Sequence, residues 1–234
     1  MSTVDVVGLD GDDTLWHSEI HFTLTQERVR ELCEPWADAA TFDERLLATE
    51  RRNLAVFGYG VKGFVISTIE AMIELSDGRV AASDLATVIE LGRELLTHPV
   101  ELCPHVAEVV PALAERYRLV VITKGDLLHQ ESKLASSGLV EHLDEVEIVA
   151  EKDVATYRRV LERHGIDPAR FVMVGNSLRS DIEPVLALGA RAVHVPYEHV
   201  WAHEAMTDDE VGAGFARVAD LSELPALLAS LESS

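Results

Sequence analysis

The chain has 234 residues, 47% of them apolar, and a formal charge of −21, with an isoelectric point near 4.7. That apolar share supports a sizeable core and excludes a disordered chain. The acidity argues against nucleic acid or an anionic membrane as the main partner. An anionic substrate would need a locally built site, made by a metal, a lysine or helix N-termini.

The first apolar run, "VDVVGL" (4–9), is short, valine-rich and nearly continuous, the pattern of a strand buried on both faces. It leads into "DGDDT", three aspartates within four residues. No basic region followed by a long apolar region precedes it, so no signal peptide is expected, and no apolar run approaches the roughly 18 residues of a membrane span. The two cysteines, Cys33 and Cys103, stand far apart without metal-ligand spacing. They fit inert thiols in a reduced, cytoplasmic chain.

Residues 17–96 read differently. "FDERLLATERRNLAVFG" and "ISTIEAMIEL" carry helical patterns and no strand stands out. This stretch is expected to be an all-helical cap inserted into a core formed by residues 1–16 and 97–234. Within it, "FGYGVKGF" (57–64) has closely spaced glycines. It reads either as a specificity loop acting through Tyr59 or Lys62, or as an ordinary helix–helix turn. "HPVELCPH" (98–105) reads as the return linker. Pro111 is expected to kink or shorten the helix that follows.

From there strands and helices alternate. "RLVVI" (118–122), "VEIVA" (146–150), "FVMV" (171–174) and "RAVHV" (191–195) read as four more buried strands. Between them lie helical patterns, with Asp126 as an N-cap and Gly138, Gly165 and Gly189 as stops. Such alternation implies right-handed crossovers, and hence a Rossmann-like α/β fold with a parallel sheet flanked by helices. A short helical pattern, "LPALLASLE", ends the chain.

Ligands of an open parallel sheet bind beyond the carboxyl ends of its strands. The residues expected there are Asp10, Gly11, Asp12, Asp13 and Thr14, then Thr123, Lys124, Gly125 and Asp126, then Glu151, Lys152 and Asp153, then Gly175, Asn176, Ser177 and Asp181. Carboxylates, a hydroxyl and a lysine suit a divalent cation and a transferable phosphoryl group.

With these motifs in order, the chain resembles the haloacid dehalogenase-like (HAD) superfamily over about residues 4–196. "DGDDT" matches its Asp-x-Asp-x-Thr motif, Thr123 its second, Lys152 its third and "VGNSLRSD" its fourth. The resemblance implies a phosphatase with a helical cap, in which Asp10 attacks phosphorus. Asp12 would protonate the leaving oxygen and then deprotonate the hydrolytic water. Thr123, Lys124, Gly125 and Lys152 would hold the phosphoryl group. Mg²⁺ would sit among Asp10, the Asp12 carbonyl, Asn176 and Asp181. The implied partner is a small phosphorylated metabolite.

The chain departs from the family's pattern at Asn176, where many relatives carry Asp, and at Lys124, where Asn is usual. Lys124 either adds a cation near the phosphate or points to solvent. Asn176 ligates through its amide oxygen or through water. Asp181 has a rival role as the N-cap of "IEPVLALG", and Asp13 reads as a turn residue. Trp16 and His17 either line the substrate entrance or pack, and "YEHVWAHE" (197–204) is a weaker candidate for the site border. The histidines lack HExxH spacing, which disfavours a zinc enzyme. Three other functions compete. One is a metal-independent 2-haloacid dehalogenase, although the family's dehalogenases lack the second aspartate. Another is a response-regulator receiver, whose motif order differs. The third is a non-catalytic phosphate-binding relative.

Overall fold

A computed structural model describes residues 4–233. The chain divides into two compact units, one formed by Met1–Ser18 with Val100–Ser234 and the other by Glu19–Pro99.

In the first unit, the described residues form one six-stranded sheet in the order β3-β2-β1-β4-β5-β6. The strands are β1 (Val6–Leu9), β2 (Arg118–Lys124), β3 (Glu145–Val149), β4 (Phe171–Gly175), β5 (Arg191–His194) and β6 (Ala216–Arg217). Every pairing is parallel, for example Val7 with Leu119 on one side and with Val172 on the other. The first five strands coincide with the five apolar runs. The sixth has two residues and no apolar run, so it leaves no signal of its own. β1 is central, and the chain fills the sheet on one side of it before crossing to the other. That reversal places a crevice at the carboxyl ends of β1, β2 and β4.

The strands alternate between two cores, as a period of two requires. Val7, Leu9, Leu119, Val121, Val172 and Val174 join one cluster. Val6, Val120, Ile122, Phe171 and Met173 join another, with Tyr157, Val160 and Leu161. Each fully buried aliphatic side chain is worth about 1.5–3 kcal/mol. With both faces covered, near-continuous valine runs are the expected composition.

In the second unit, α1 (Glu19–Cys33), α2 (Ala39–Phe57), α3 (Val61–Leu75) and α4 (Ala82–Thr97) enclose a core that includes Val29, Phe42, Leu46, Met72 and Leu91. The Asp38 side chain caps α2 by accepting from Thr41 N at 2.8 Å. The first unit adds α5 (Val106–Ala114), α6 (Leu127–Ser136), α7 (Val154–Arg163), α8 (Glu183–Leu186), α9 (Asp208–Val211) and α10 (Leu224–Ser233). Asp126 caps α6 and Asp153 caps α7 through side-chain oxygens. Pro111 lies inside α5, and the helix continues to Ala114 rather than stopping there. Both cysteines are buried and free. Burial pushes the thiols up to about 11 for Cys33 and about 12 for Cys103, which keeps them unreactive. Among the described residues no helix is long and apolar enough to cross a membrane.

Candidate active site

Asp10 directly follows β1, and its N–H donates to the Val174 carbonyl of β4 at 2.9 Å. That bond fixes the carboxylate at the crevice. Asp10 is buried, and so are Asp181 and Lys152, which are 0% and 4% exposed. The Lys152 ammonium donates to Asp10 Oδ1 and, at 2.7 Å, to Asp181 Oδ1. Asp181 Oδ2 accepts from Ser177 N at 3.0 Å, and the Tyr157 hydroxyl lies 3.5 Å from Asp181 Oδ1.

Two buried carboxylates thus share one ammonium, which leaves one negative charge uncompensated among these three side chains. Burial, with Asp181 next, pushes the Asp10 carboxyl up to about 7 despite Lys152. Burial opposes the charge on Lys152, but Asp10 and Asp181 outweigh it and hold that ammonium firmly protonated.

The geometry corrects one reading of Asp181. It does not cap the helix after it. Ser177 caps the intervening turn, Leu178–Ile182, and Asp181 lies inside that turn with its side chain directed to Lys152. Gly175 makes room for it, since a Cβ there would fall 2.7 Å from Asp181 Cβ. Gly11 serves the first motif similarly, because a Cβ would fall 2.8 Å from Trp16 Cζ2 and 3.0 Å from Thr123 Oγ1.

Asp12 occupies a different environment from Asp10, with its side chain 31% exposed. Its Oδ1 accepts from Trp16 Nε1 and from Lys133 Nζ, each at 2.6 Å, and its Oδ2 accepts from Gln130 Nε2 at 3.0 Å. Burial favours the neutral carboxyl, yet Lys133 and the hydrogen bonds from Lys133, Trp16 and Gln130 outweigh it and hold the group below the usual carboxylate range. Trp16 therefore orients Asp12 while its ring is buried. Asp13 adopts a left-handed conformation (φ 64°), and its Oδ1 accepts from Ser18 N at 2.8 Å, as a turn residue would.

Gln130 and Lys133 lie on α6, and no motif includes them. Gln130 Nε2 also reaches Thr123 Oγ1 at 3.0 Å and the Lys124 carbonyl at 2.9 Å, tying the first motif to the second. The only trace in the sequence is their i, i+3 spacing in "DLLHQESKL", which puts both on one helix face.

Lys124 is engaged within the site and does not point freely to solvent. It pairs with Glu204 and donates to Ser180 Oγ at 2.8 Å. The Gly125 N–H is directed at the Val149 carbonyl, 3.4 Å away. Glu204 closes the "YEHVWAHE" stretch, so that segment does reach the strand ends. His17 is bound by Tyr197, with Nδ1 and the hydroxyl oxygen 2.6 Å apart. Tyr59 and Lys62 belong to the helical unit, between α2 and α3 and in the first turn of α3.

The oxygens suit a hard cation. The Thr14 hydroxyl lies 3.2 Å from Asp10 Oδ2 and 3.5 Å from Asn176 Oδ1, which brings a carboxylate and an amide oxygen to one spot. Among the described residues no cluster of three His, Cys, Asp or Glu forms a metal site. A zinc-type set is therefore missing from those residues. Mg²⁺ uses one or two carboxylates plus neutral oxygens, water and phosphate, and the set fits that demand.

Known proteins share the family and the fold of this chain. The family model for haloacid dehalogenase-like hydrolase matches residues 4–189. A haloacid dehalogenase-like family hydrolase from Xanthomonas campestris is 42% identical, covering 99% of this chain and 93% of that one at a TM-score of 0.89. A 2-haloacid dehalogenase from Pseudomonas syringae pv. Tomato DC3000 is 22% identical over 98% of this chain and 100% of that one, with a TM-score of 0.62. A predicted phosphoglycolate phosphatase from Haemophilus somnus is 16% identical over 97% and 99%, with a TM-score of 0.65. No curated protein sequence matches the chain. The last two structures share the fold with this chain, while the family match and the 42% identical hydrolase decide its membership: the chain belongs to the haloacid dehalogenase-like hydrolases.

Proposed function

We propose that the protein is a Mg²⁺-dependent phosphatase of small phosphorylated metabolites. The observation that carries this reading is the second carboxylate, Asp12, held by Lys133, Trp16 and Gln130 two residues from the buried Asp10. Displacing a halide from carbon needs no acid at the leaving group. Cleaving a P–O bond of an alkyl phosphate does, and in this reading Asp12 supplies it.

In this reading an Asp10 oxygen attacks phosphorus, an Asp10–phosphorus bond forms, and the bond to the leaving alkoxide breaks. Asp12 is ionised at rest; the arriving phosphate dianion opposes the field of Lys133, so Asp12 takes up a proton from solvent and gives it to that alkoxide. Water then attacks phosphorus, Asp12 takes its proton back, and the Asp10 carboxylate leaves. Lys152 offsets negative charge as the phosphoryl group meets Asp10. Thr123 lines the same edge under Gln130. Asp10, the Asp12 carbonyl, Asn176 and Asp181 would hold Mg²⁺, which when bound supplies positive charge to phosphoryl oxygens. Tyr59 and Lys62 remain proposed specificity residues.

One observation favours dehalogenation instead. Asn176 is neutral, so the cation loses a charged ligand. The two readings separate in one screen: phosphorylated metabolites with Mg²⁺ against 2-haloacids without metal, each run beside Asp10→Asn. The phosphatase reading expects inorganic phosphate from the wild type only. Halide release without metal, and no phosphate release, would replace it.

A further inference from the structure

Glu204 lies in the segment between β5 and α9, far in sequence from every motif. Its Oε1 pairs with the Lys124 ammonium, while its Oε2 accepts from Ser177 Oγ and Ser180 Oγ, each at 2.6 Å. Lys124 closes the ring by donating to Ser180 Oγ at 2.8 Å. The two charged side chains are only 11% and 15% exposed. Burial opposes the charge of Glu204, yet Lys124 and the two hydroxyls bring its carboxyl down to about 2.

Burying an ion pair is a poor way to gain stability, because the desolvation cost cancels much of the attraction. What this pair does secure is spacing. Lys124 directly follows Thr123 at the end of β2. Ser177 caps the turn after β4 and Ser180 lies within it, in the segment that carries Asn176 and Asp181. The carboxylate sits between these two loops and satisfies groups on both.

We propose that Glu204 is a positioning residue, which holds the Thr123–Gly125 loop and the Asn176–Asp181 turn at one separation. It also neutralises Lys124, so that Lys152 remains the cation facing Asp10. The catalytic consequence rests on the phosphatase reading, whereas the positioning itself does not.

The test uses the full chain with Glu204→Gln, Lys124→Met, the double variant and the milder Ser180→Ala. Amide hydrogen exchange is followed in peptides spanning residues 121–130 and 174–184, beside a thermal melt and p-nitrophenyl phosphate kinetics with Mg²⁺. The expected result for Glu204→Gln is exchange about 10-fold faster in those two peptides and unchanged in the rest of the sheet. Its kcat should fall about 10-fold or more with KM within about 3-fold, since misplacement acts on the reacting geometry. In the Lys124→Met background, Glu204→Gln should add less than about 3-fold, because the two residues act as a unit. Ser180→Ala should loosen the same two peptides to a smaller degree, which keeps the test decisive if a charge variant fails to fold. Unchanged exchange in both peptides, or a rise spread evenly over the whole unit, would overturn the proposal. So would loosened loops with an unchanged kcat. A wild type that hydrolyses no phosphate ester would instead remove the phosphatase reading, and the exchange measurements would still decide the positioning role.

Discussion

Lys133 and Asp12, 121 positions apart in sequence, are joined by a 2.6 Å bond between Nζ and Oδ1. The bond connects α6 to the first motif and sets the charge state of the group that moves protons in the proposed reaction. Asp10, two residues away, is governed by burial and by Asp181 instead. Burial and Asp181 push Asp10 up while Lys133 helps hold Asp12 down, so the proposed roles call on a bound cation to ionise Asp10 and on the substrate's negative charge to protonate Asp12.

Removing the acid–base group should show its dependence on the leaving group. Asp12→Asn is expected to lower kcat by about 10²–10⁴-fold with an alkyl phosphate. The loss should be much smaller with p-nitrophenyl phosphate, whose leaving group needs little protonation. Equal losses on both substrates would show that Asp12 does not donate a proton.

Restoring a carboxylate at position 176 should strengthen the cation site. Asn176→Asp adds a negative charge beside Asp10 and Asp181, and cation affinity follows the charge of the ligands. Calorimetric titration with Mg²⁺ is expected to give about 3- to 10-fold tighter binding. The metal-free variant should melt below the wild type, with Mg²⁺ recovering the difference. An unchanged affinity would remove position 176 from the cation site.

Gly175→Ala should displace Asp181. The added methyl would meet the Asp181 side chain, with Cβ to Cβ at 2.7 Å. Overpacking of this kind costs about 1–3 kcal/mol. A chemical denaturation series is expected to show that loss together with a large fall in activity. Wild-type activity in a folded Gly175→Ala would show that the placement of Asp181 is unimportant.

Glu204 gives an acid-stability signature. Its carboxyl is lowered from 4.5 to about 2. A depressed carboxyl contributes stability that is fully present above about pH 4.5 and is lost as pH falls towards about 2. This is the pH-dependent preference for the ionised over the protonated carboxyl, on the order of 2–3 kcal/mol, and not the net worth of the buried pair. Denaturation of the wild type and of Glu204→Gln across pH 2–6 should show a steeper acid loss in the wild type. Parallel curves would contradict the assigned charge state.

Much of the architecture can be read in the chain because strands buried on both faces produce valine-rich runs, as at Leu119–Ile122 and at Phe171–Val174. The placement of Asp10, Thr123, Lys152 and Asn176 beyond those runs follows from strand ends converging in a parallel sheet. Other features stay hidden for physical reasons. β6 is two residues long and has no periodicity to detect. Gln130 and Lys133 are ordinary helix-surface residues in sequence, and only the docking of α6 turns them towards Asp12. Glu204 comes from an irregular segment, where no repeat predicts direction. Lys124 reads as a spare cation in sequence because its partner lies 80 positions away. Asp181 fits an N-cap by sequence, but the wide turn at Leu178–Ile182 carries its side chain inward to Lys152.

The most direct test of the account is to trap the enzyme during turnover of a phosphate ester with Mg²⁺. Acid quenching, borohydride reduction and peptide mapping should reveal homoserine in place of Asp10, with phosphate rather than halide as the product and no homoserine at position 10 of Asp10→Asn. A wild type that turns over phosphate esters without any acyl phosphate at Asp10 would contradict it.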